Sequence, residues 1–243
     1  MVQIEQSVDE DKLIEIQVKK SQKRIDRDVK ELFGYHHLTR STSNKILRNM
    51  ISKRVTMTVL VIDLVGSTKL SAEIHPMRLG RWVREFSQES TFVIESFGGH
   101  VLKYVGDAVI VYFLHENKPK KSANNSVLAA KALIQVVKNS INPIMKKRGL
   151  PKLSLHIGID HGKNSVLLYG HDAKRSHIDL IGLTLNLAAK MEAICGINQI
   201  VIGDNVYQKL DTAQKKNFKK VPTKRWKYYH IEHNRSYPVY ESL

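Results

Sequence analysis

The sequence predicts an α+β fold: a ferredoxin-like βαββαβ sheet with helices on one face, preceded by an N-terminal helical extension. Three observations predict it. At Val55 the patterning switches from helical to strand-like, in the run VTMTVLVIDL that ends at Leu64. Two short apolar runs between His100 and Phe113, HVLKYVGDAVIVYF, meet at Gly106-Asp107, which reads as a hairpin turn. Around them the elements follow in the order strand, helix, hairpin, helix, strand.

Residues 1 to 52 are charged and helical in pattern, with Ile25, Val29, Leu32 and Phe33 at i, i+4, i+7 and i+8. Ile46, Leu47, Met50 and Ile51 follow the polar break Ser41-Thr42-Ser43-Asn44, where Ser or Asn would cap a second helix. Two stripes this narrow cannot form a core of their own. The segment is therefore expected to pack on the domain formed by residues 53 to 243 or on a second chain, either as a plain extension or as a dimerising or regulatory element. The first strand is closed by Val65-Gly66-Ser67-Thr68. A helix from about Met77 to Phe97 follows, carried by Leu79, Trp82, Val83, Phe86, Val93 and Ile94 and ended by Gly98-Gly99. After the hairpin and a lysine-rich loop, Val127, Ala130, Ile134, Val137 and Ile141 mark a second helix that stops near Pro143. Strands are expected at Leu153 to Gly158, Ser165 to Tyr169, Gln199 to Ile202 and around Tyr237 to Tyr240, with a helix from Gly182 to Cys195. Within the hairpin, alternation puts Val101, Lys103 and Val105 on one face, so a lysine stands where the pattern calls for an apolar residue. Such local conflicts tend to mark sites.

A chain of 243 residues with 42% hydrophobic content can bury one substantial core. Its single cysteine, Cys195, excludes an internal disulfide framework and reads as helix packing. The N-terminus MVQIEQSVDEDK is acidic and lacks an apolar signal region, and the apolar run Val59 to Val65 is interrupted by Asp63 and too short to span a bilayer. A soluble, cytoplasmic protein is expected. The net charge of +16 raises nucleic acid or an anionic membrane as partners, but the positive charges are scattered, without aromatic interleaving or a zinc pattern. No specific nucleic-acid partner is expected, and the same field favours a polyanionic substrate such as a nucleoside triphosphate.

In the predicted topology the first strand and the strand that opens the hairpin are central neighbours. That brings together Asp63 and Asp107, which are 44 residues apart (107 − 63). Two adjacent carboxylates repel each other unless something positive lies between them. A hard divalent cation, magnesium or manganese, suits such ligands and bridges phosphate oxygens in phosphoryl chemistry. Taken alone, the two aspartates read equally well as turn or cap residues. Other motifs carry less. GIDHGKN, from Gly158 to Asn164, is one residue short of a Walker A loop and ends in Asn. The eleven histidines, among them His36-His37, His75, His156 and His161, show no zinc-ligand spacing and read as surface or core residues.

VIDLVGST (Val61 to Thr68), FGGHVLKYVGDAVIVYF (Phe97 to Phe113), HIGIDHG (His156 to Gly162) and IDLIGLTLNLAAKME (Ile178 to Glu192) resemble, in order and spacing, the successive motifs of class III nucleotidyl cyclases. The resemblance spans roughly residues 55 to 207, and it implies the class III cyclase type of the βαββαβ core. It further implies that Asp63 and Asp107, helped by the Leu64 carbonyl, hold two Mg2+ or Mn2+ ions. Lys103 and Asp179 match the positions that read adenine, the ammonium donating to N1 and the carboxylate accepting from the exocyclic amine. Asn186 matches the residue that orients the ribose and the transition state. Lys190 stands four residues on, on the same helical face, where the family has Arg. It keeps the charge but loses the planar fork. In the tail, Lys224 and Lys227 are candidates for a phosphate-binding lysine, though a solvated basic turn explains them as well. The implied reaction is conversion of ATP to 3′,5′-cyclic AMP and pyrophosphate, at sites shared across a homodimer. Competing readings are a cyclase for a pyrimidine or guanine nucleotide, a non-catalytic nucleotide sensor, and a nucleic-acid-binding module.

Overall fold

The computed structural model describes residues 9–30, 40–115, 118–172, 174–230 and 235–243. Helices α1 (Glu10–Lys30) and α2 (Arg40–Arg48) precede strand β1 (Arg54–Leu64), followed by α3 (Ser67–Glu73) and α4 (Pro76–Ser96). The hairpin β2 (His100–Val105) and β3 (Ala108–Leu114) leads to α5 (Pro119–Val136), one π-helical turn and α6 (Asn142–Lys147). Then come β4 (Leu155–Tyr169), β5 (His177–Ile181), α7 (Leu183–Glu192) and β6 (Gln199–Gly203). The tail adds β7 (Phe218–Lys220), the short pair β8 (Tyr229–His230) and β9 (Arg235–Ser236), and β10 (Val239–Ser242). The main sheet runs β2-β3-β1-β4-β6-β10-β7, with β5 pairing β4. Its first four strands have the ferredoxin-like order.

Three expectations need correction. First, β1 lies between β3 and β4, and β2 is at the sheet edge, so the first strand and the one that opens the hairpin are not neighbours. The juxtaposition of Asp63 with the turn survives because β3 begins at the same turn. Second, the two strands expected between Leu153 and Tyr169 are one continuous strand. Its polar middle is accommodated because Tyr237 donates to the fully buried Asp160 at 2.6 Å and His161 Nδ1 bonds Thr58 Oγ1 at 2.9 Å. Third, helices cover both faces of the sheet. Leu60, Ile62, Val111, Phe113 and Ile157 pack under α4 and α5, whereas Met57, Val59, Val61, Tyr112 and Val166 pack under α2 and α7. The cause is legible in β1, where both alternate sets of side chains are apolar, so both faces demand cover.

The polar break at 41–44 lies inside α2, where the Ser43 and Tyr112 hydroxyls meet at 3.0 Å. Of the N-terminal stripe, Ile25 is buried against the core, while Leu32, Phe33 and the side chain of Val29 lie outside the described residues. Helix α1 packs along α5 through Leu13, Ile14 and Val18, and the Arg24 guanidinium forks onto the buried Glu89 of α4 at 2.6 and 3.0 Å. Replacing Arg24 with Ala strands that carboxylate, and urea unfolding should show a loss of about 3 kcal/mol.

The buried Asp160 gives a pH prediction. Burial pushes its pKa up to about 7, against the opposing hydrogen bonds from Tyr237 and the His161 amide. The folded protein then keeps a proton that the unfolded chain has already lost, so this group contributes stability that declines as pH rises from about 4 through 7. His161, pushed down to about 3 by burial, works with the opposite sign and withdraws stability below its unfolded pKa of about 6.5. Asp160→Asn should therefore gain in Tm relative to the wild type as pH rises from about 5 to 7.5, measured by thermal melts of both proteins across that range.

Candidate active site

Asp63 follows Ile62, whose partner across the β1–β3 ladder is Val109, so its carboxyl stands beside the Gly106-Asp107 turn. The turn requires a glycine, since Gly106 has φ of 62°. The Asp63 and Asp107 carboxyls are within hydrogen-bond reach, and the Asp63 pKa is raised by burial first and by Asp107 second, although the Leu64 amide donates to it. Asp107 Oδ2 is buried with no hydrogen-bond partner among the described residues. An orphaned acceptor oxygen beside a second carboxylate is a donor set that fits a hard divalent cation.

A third acid stands nearby that sequence reasoning missed. Glu192, the last residue of α7, is pushed up to about 7 by burial, then by Asp63 and Asp107. His156, the cross-strand partner of Asp63 on β4, places Nδ1 3.5 Å from Glu192 Oε1, and burial lowers the pKa of this imidazole. Glu192 is a neighbour of the aspartates. Among the described residues no three His, Cys, Asp or Glu side chains form a ligand set. What brings α7 so close is Gly158 on β4, where a Cβ would stand 2.0 Å from the Ala188 carbonyl oxygen and 2.4 Å from the Glu192 nitrogen. Gly158→Ala must lift the helix off the sheet. The expected result is a protein with lowered Tm and under about a tenth of wild-type turnover. The sequence places Glu192 six residues after Asn186, but no spacing connects it to β1.

Lys103 lies on the face opposite to the one alternation predicts. A β-bulge between Val101 and Lys103 shifts the register, so that Val101 and Tyr104 pack with the α4/α5 core while Lys103 pairs across the ladder with Ile110, which packs with the α2/α7 core. Lys103 is thus not a misplaced core residue. Its ammonium pairs directly with the Asp179 carboxylate of β5, with both side chains mostly buried. The other Asp179 oxygen accepts from the Leu180 amide at 2.8 Å, and His177 Nε2 lies 3.9 Å from the pair. Strand β5 goes unpredicted by the sequence, because its five residues HIDLI carry only two inward apolar side chains, Ile178 and Leu180, and Ile181 is exposed.

Asn186 and Lys190 are both exposed on α7, one turn apart, and neither side chain has a hydrogen-bond partner among the described residues. Leu64, the last residue of β1, has a buried side chain. Lys224 and Lys227 are exposed on either side of Arg225, which pairs with Glu241 at 2.6 Å, and of the buried Trp226. Around the hairpin tip and the start of α7, Val105, Ile181 and Leu183 are 53%, 52% and 43% exposed, unusual for aliphatic side chains. No helix among the described residues is long and apolar enough to cross a membrane.

A family model described as the adenylate and guanylate cyclase catalytic domain matches residues 51–232. The chain belongs to the class III cyclase family. Among curated relatives of this class III cyclase chain, a cytidylate cyclase from Staphylococcus aureus is 29% identical over 160 residues, covering 64% of the chain and 38% of the relative. An adenylate cyclase from Anabaena cylindrica is 29% identical over 163 residues, covering 63% and 30%. The chain thus spans about a third of the length of these relatives. Among solved structures, the adenylyl cyclase CyaB from P. aeruginosa aligns with a TM-score of 0.63 at 25% identity, covering 79% of this chain and 95% of that one.

Proposed function

We propose that the chain is a divalent-cation-dependent adenylate cyclase that converts ATP to 3′,5′-cyclic AMP and pyrophosphate in the cytoplasm, at sites shared by two copies of the chain. The observation that carries this reading is the pairing of Asp63 with Asp107, whose buried Oδ2 has no partner among the described residues. Asp63, Asp107 and the Leu64 carbonyl would hold two Mg2+ or Mn2+ ions. When bound, these supply positive charge to the ribose 3′-oxygen and the triphosphate. Lys103 and Asp179 hold the base by its donor and acceptor edge. Asn186 orients the ribose, and Lys190 meets charge developing on the α-phosphate as the 3′-oxygen attacks and pyrophosphate leaves. Because Asn186 and Lys190 have no side-chain partner among the described residues, we read them as serving the aspartates of a second copy. The exposed apolar residues Val105, Ile181 and Leu183 support that homodimer. Residues 1 to 52 are read as a brace on the catalytic domain of 53 to 243.

Incubation with ATP and manganese, with cyclic AMP and pyrophosphate identified by mass, tests the reading. Tight ATP binding without pyrophosphate release would favour a nucleotide sensor instead, for which Lys190 in place of Arg is the specific argument. Lys190→Arg restores the planar fork and should raise kcat about tenfold with KM for ATP little changed, measured by initial rates.

A further inference from the structure

We infer that the Lys103–Asp179 pair admits the amidine-edged bases, adenine and cytosine alike, so that CTP is a second substrate of the same site while GTP and UTP are excluded. This rests on the cyclase reading above and concerns which nucleotides that site takes.

The argument starts from the two side chains. A lysine ammonium only donates and an aspartate carboxylate only accepts. Here the two are in direct contact and mostly buried, and one Asp179 oxygen is pinned by the Leu180 amide. A ligand edge that enters between them must offer an acceptor to Lys103 and, one bond further round the ring, a donor to Asp179. An edge that fails leaves a mostly buried charge without a partner. Adenine meets the requirement with N1 and its 6-amino group. Cytosine meets it with N3 and its 4-amino group, since both bases carry the same N=C–NH2 unit. Guanine and uracil carry the reverse arrangement, O=C–N–H, with a donor at the ring nitrogen and an acceptor outside the ring. With the ribose fixed by the phosphates, neither can turn over to correct it. Lys103 would then face an N–H and Asp179 a carbonyl oxygen, two repulsive contacts at once.

Ring size is the remaining difference, as the amidine edge of cytosine lies one ring closer to the sugar. The device here is poorly suited to measuring it. Lysine presents a point charge on a flexible four-carbon stem. Its neighbour across the ladder, Ile110, belongs to the hairpin whose regular pairing the bulge has already broken. Hydrogen-bond polarity discriminates strongly at such a pair, whereas reach is adjustable. Polarity therefore sets the substrate class.

The experiment measures initial rates on each of the four nucleoside triphosphates with manganese, together with inhibition of ATP turnover by CTP. ATP and CTP should both be cyclised, with CTP competitive against ATP and an inhibition constant equal to its own KM. GTP and UTP should show kcat/KM at least about 100-fold lower. Asp179→Asn, which can donate as well as accept, should lower kcat/KM for ATP and CTP by similar factors and raise it for GTP and UTP. Turnover of GTP or UTP within tenfold of ATP, or an Asp179→Asn effect on ATP that leaves CTP untouched, overturns the inference and leaves the cyclase reading standing. Absence of turnover on all four overturns the cyclase reading instead. Binding of the four 3′-deoxynucleoside triphosphates by calorimetry then decides the base rule on its own: binding of the adenine and cytosine forms alone supports it, and any other pattern overturns it.

Discussion

Asp63→Asn and Asp107→Asn are each expected to lower ATP cyclisation at least about 1000-fold, while the folded protein loses no stability in the absence of divalent cations. The second half of that result separates a metal-site role from a structural one. Asp63 has its pKa raised by burial and by Asp107, so its ionised form is a liability to the metal-free fold at neutral pH. The sign follows directly. A carboxyl with a raised folded pKa contributes stability below its unfolded pKa and withdraws it as pH climbs through the folded value. The amide has no charge to desolvate, so in EDTA at pH 8 Tm should be equal to or above that of the wild type. Adding manganese should raise the wild-type Tm and leave Asp63→Asn unmoved, because only a folded state that binds the ion gains from it. A variant that keeps its rate, or its manganese-dependent shift in Tm, would refute the assignment.

Mixing two inactive proteins should restore activity. On the proposed reading, Asp107→Asn removes an aspartate that would hold the cation and Asn186→Ala removes the group that would orient the ribose, so each homodimer would carry two broken sites. In a dimer whose sites draw these residues from opposite chains, a mixed dimer carries one intact site and one that is doubly broken. After co-refolding in equal amounts, half of the dimers are mixed, and specific activity should recover to about one quarter of the wild-type value. If both residues served the same site from one chain, every site would stay broken. The readout is cyclic AMP per milligram against each variant alone, and no recovery beyond the sum of the two would end the shared-site reading.

Much of the fold was legible because the patterning of β1, of α4 and of the hairpin is strong over long stretches. The expected helix from Met77 to Phe97 is observed as Pro76–Ser96, capped by His75 Nδ1 accepting from the Met77 amide. The errors have specific causes. In the sequence the polar residues of β4 look like a break, because the partners that satisfy Asp160 and His161, Tyr237 and Thr58, are 77 and 103 residues away. Alternation puts Lys103 on the wrong face because period-two counting assumes no bulge, and the shift between Val101 and Lys103 inverts everything after it. Glu192 carries no sequence signal because its closeness to Asp63 depends on a helix lying against a glycine, which no linear spacing encodes.

The sequence by itself determined the family, through four motifs in order, and the residue types at the proposed site: carboxylates, two lysines and an asparagine. The tertiary structure alone decided which of those groups touch. Asp63 meets Asp107 because β3 starts at the turn beside the end of β1, and Lys103 meets Asp179 because a bulge turns it over. Residue type is a local property that the chain writes down. Contact between elements depends on register and on how closely two backbones approach, and those are settled only when the whole sheet packs at once.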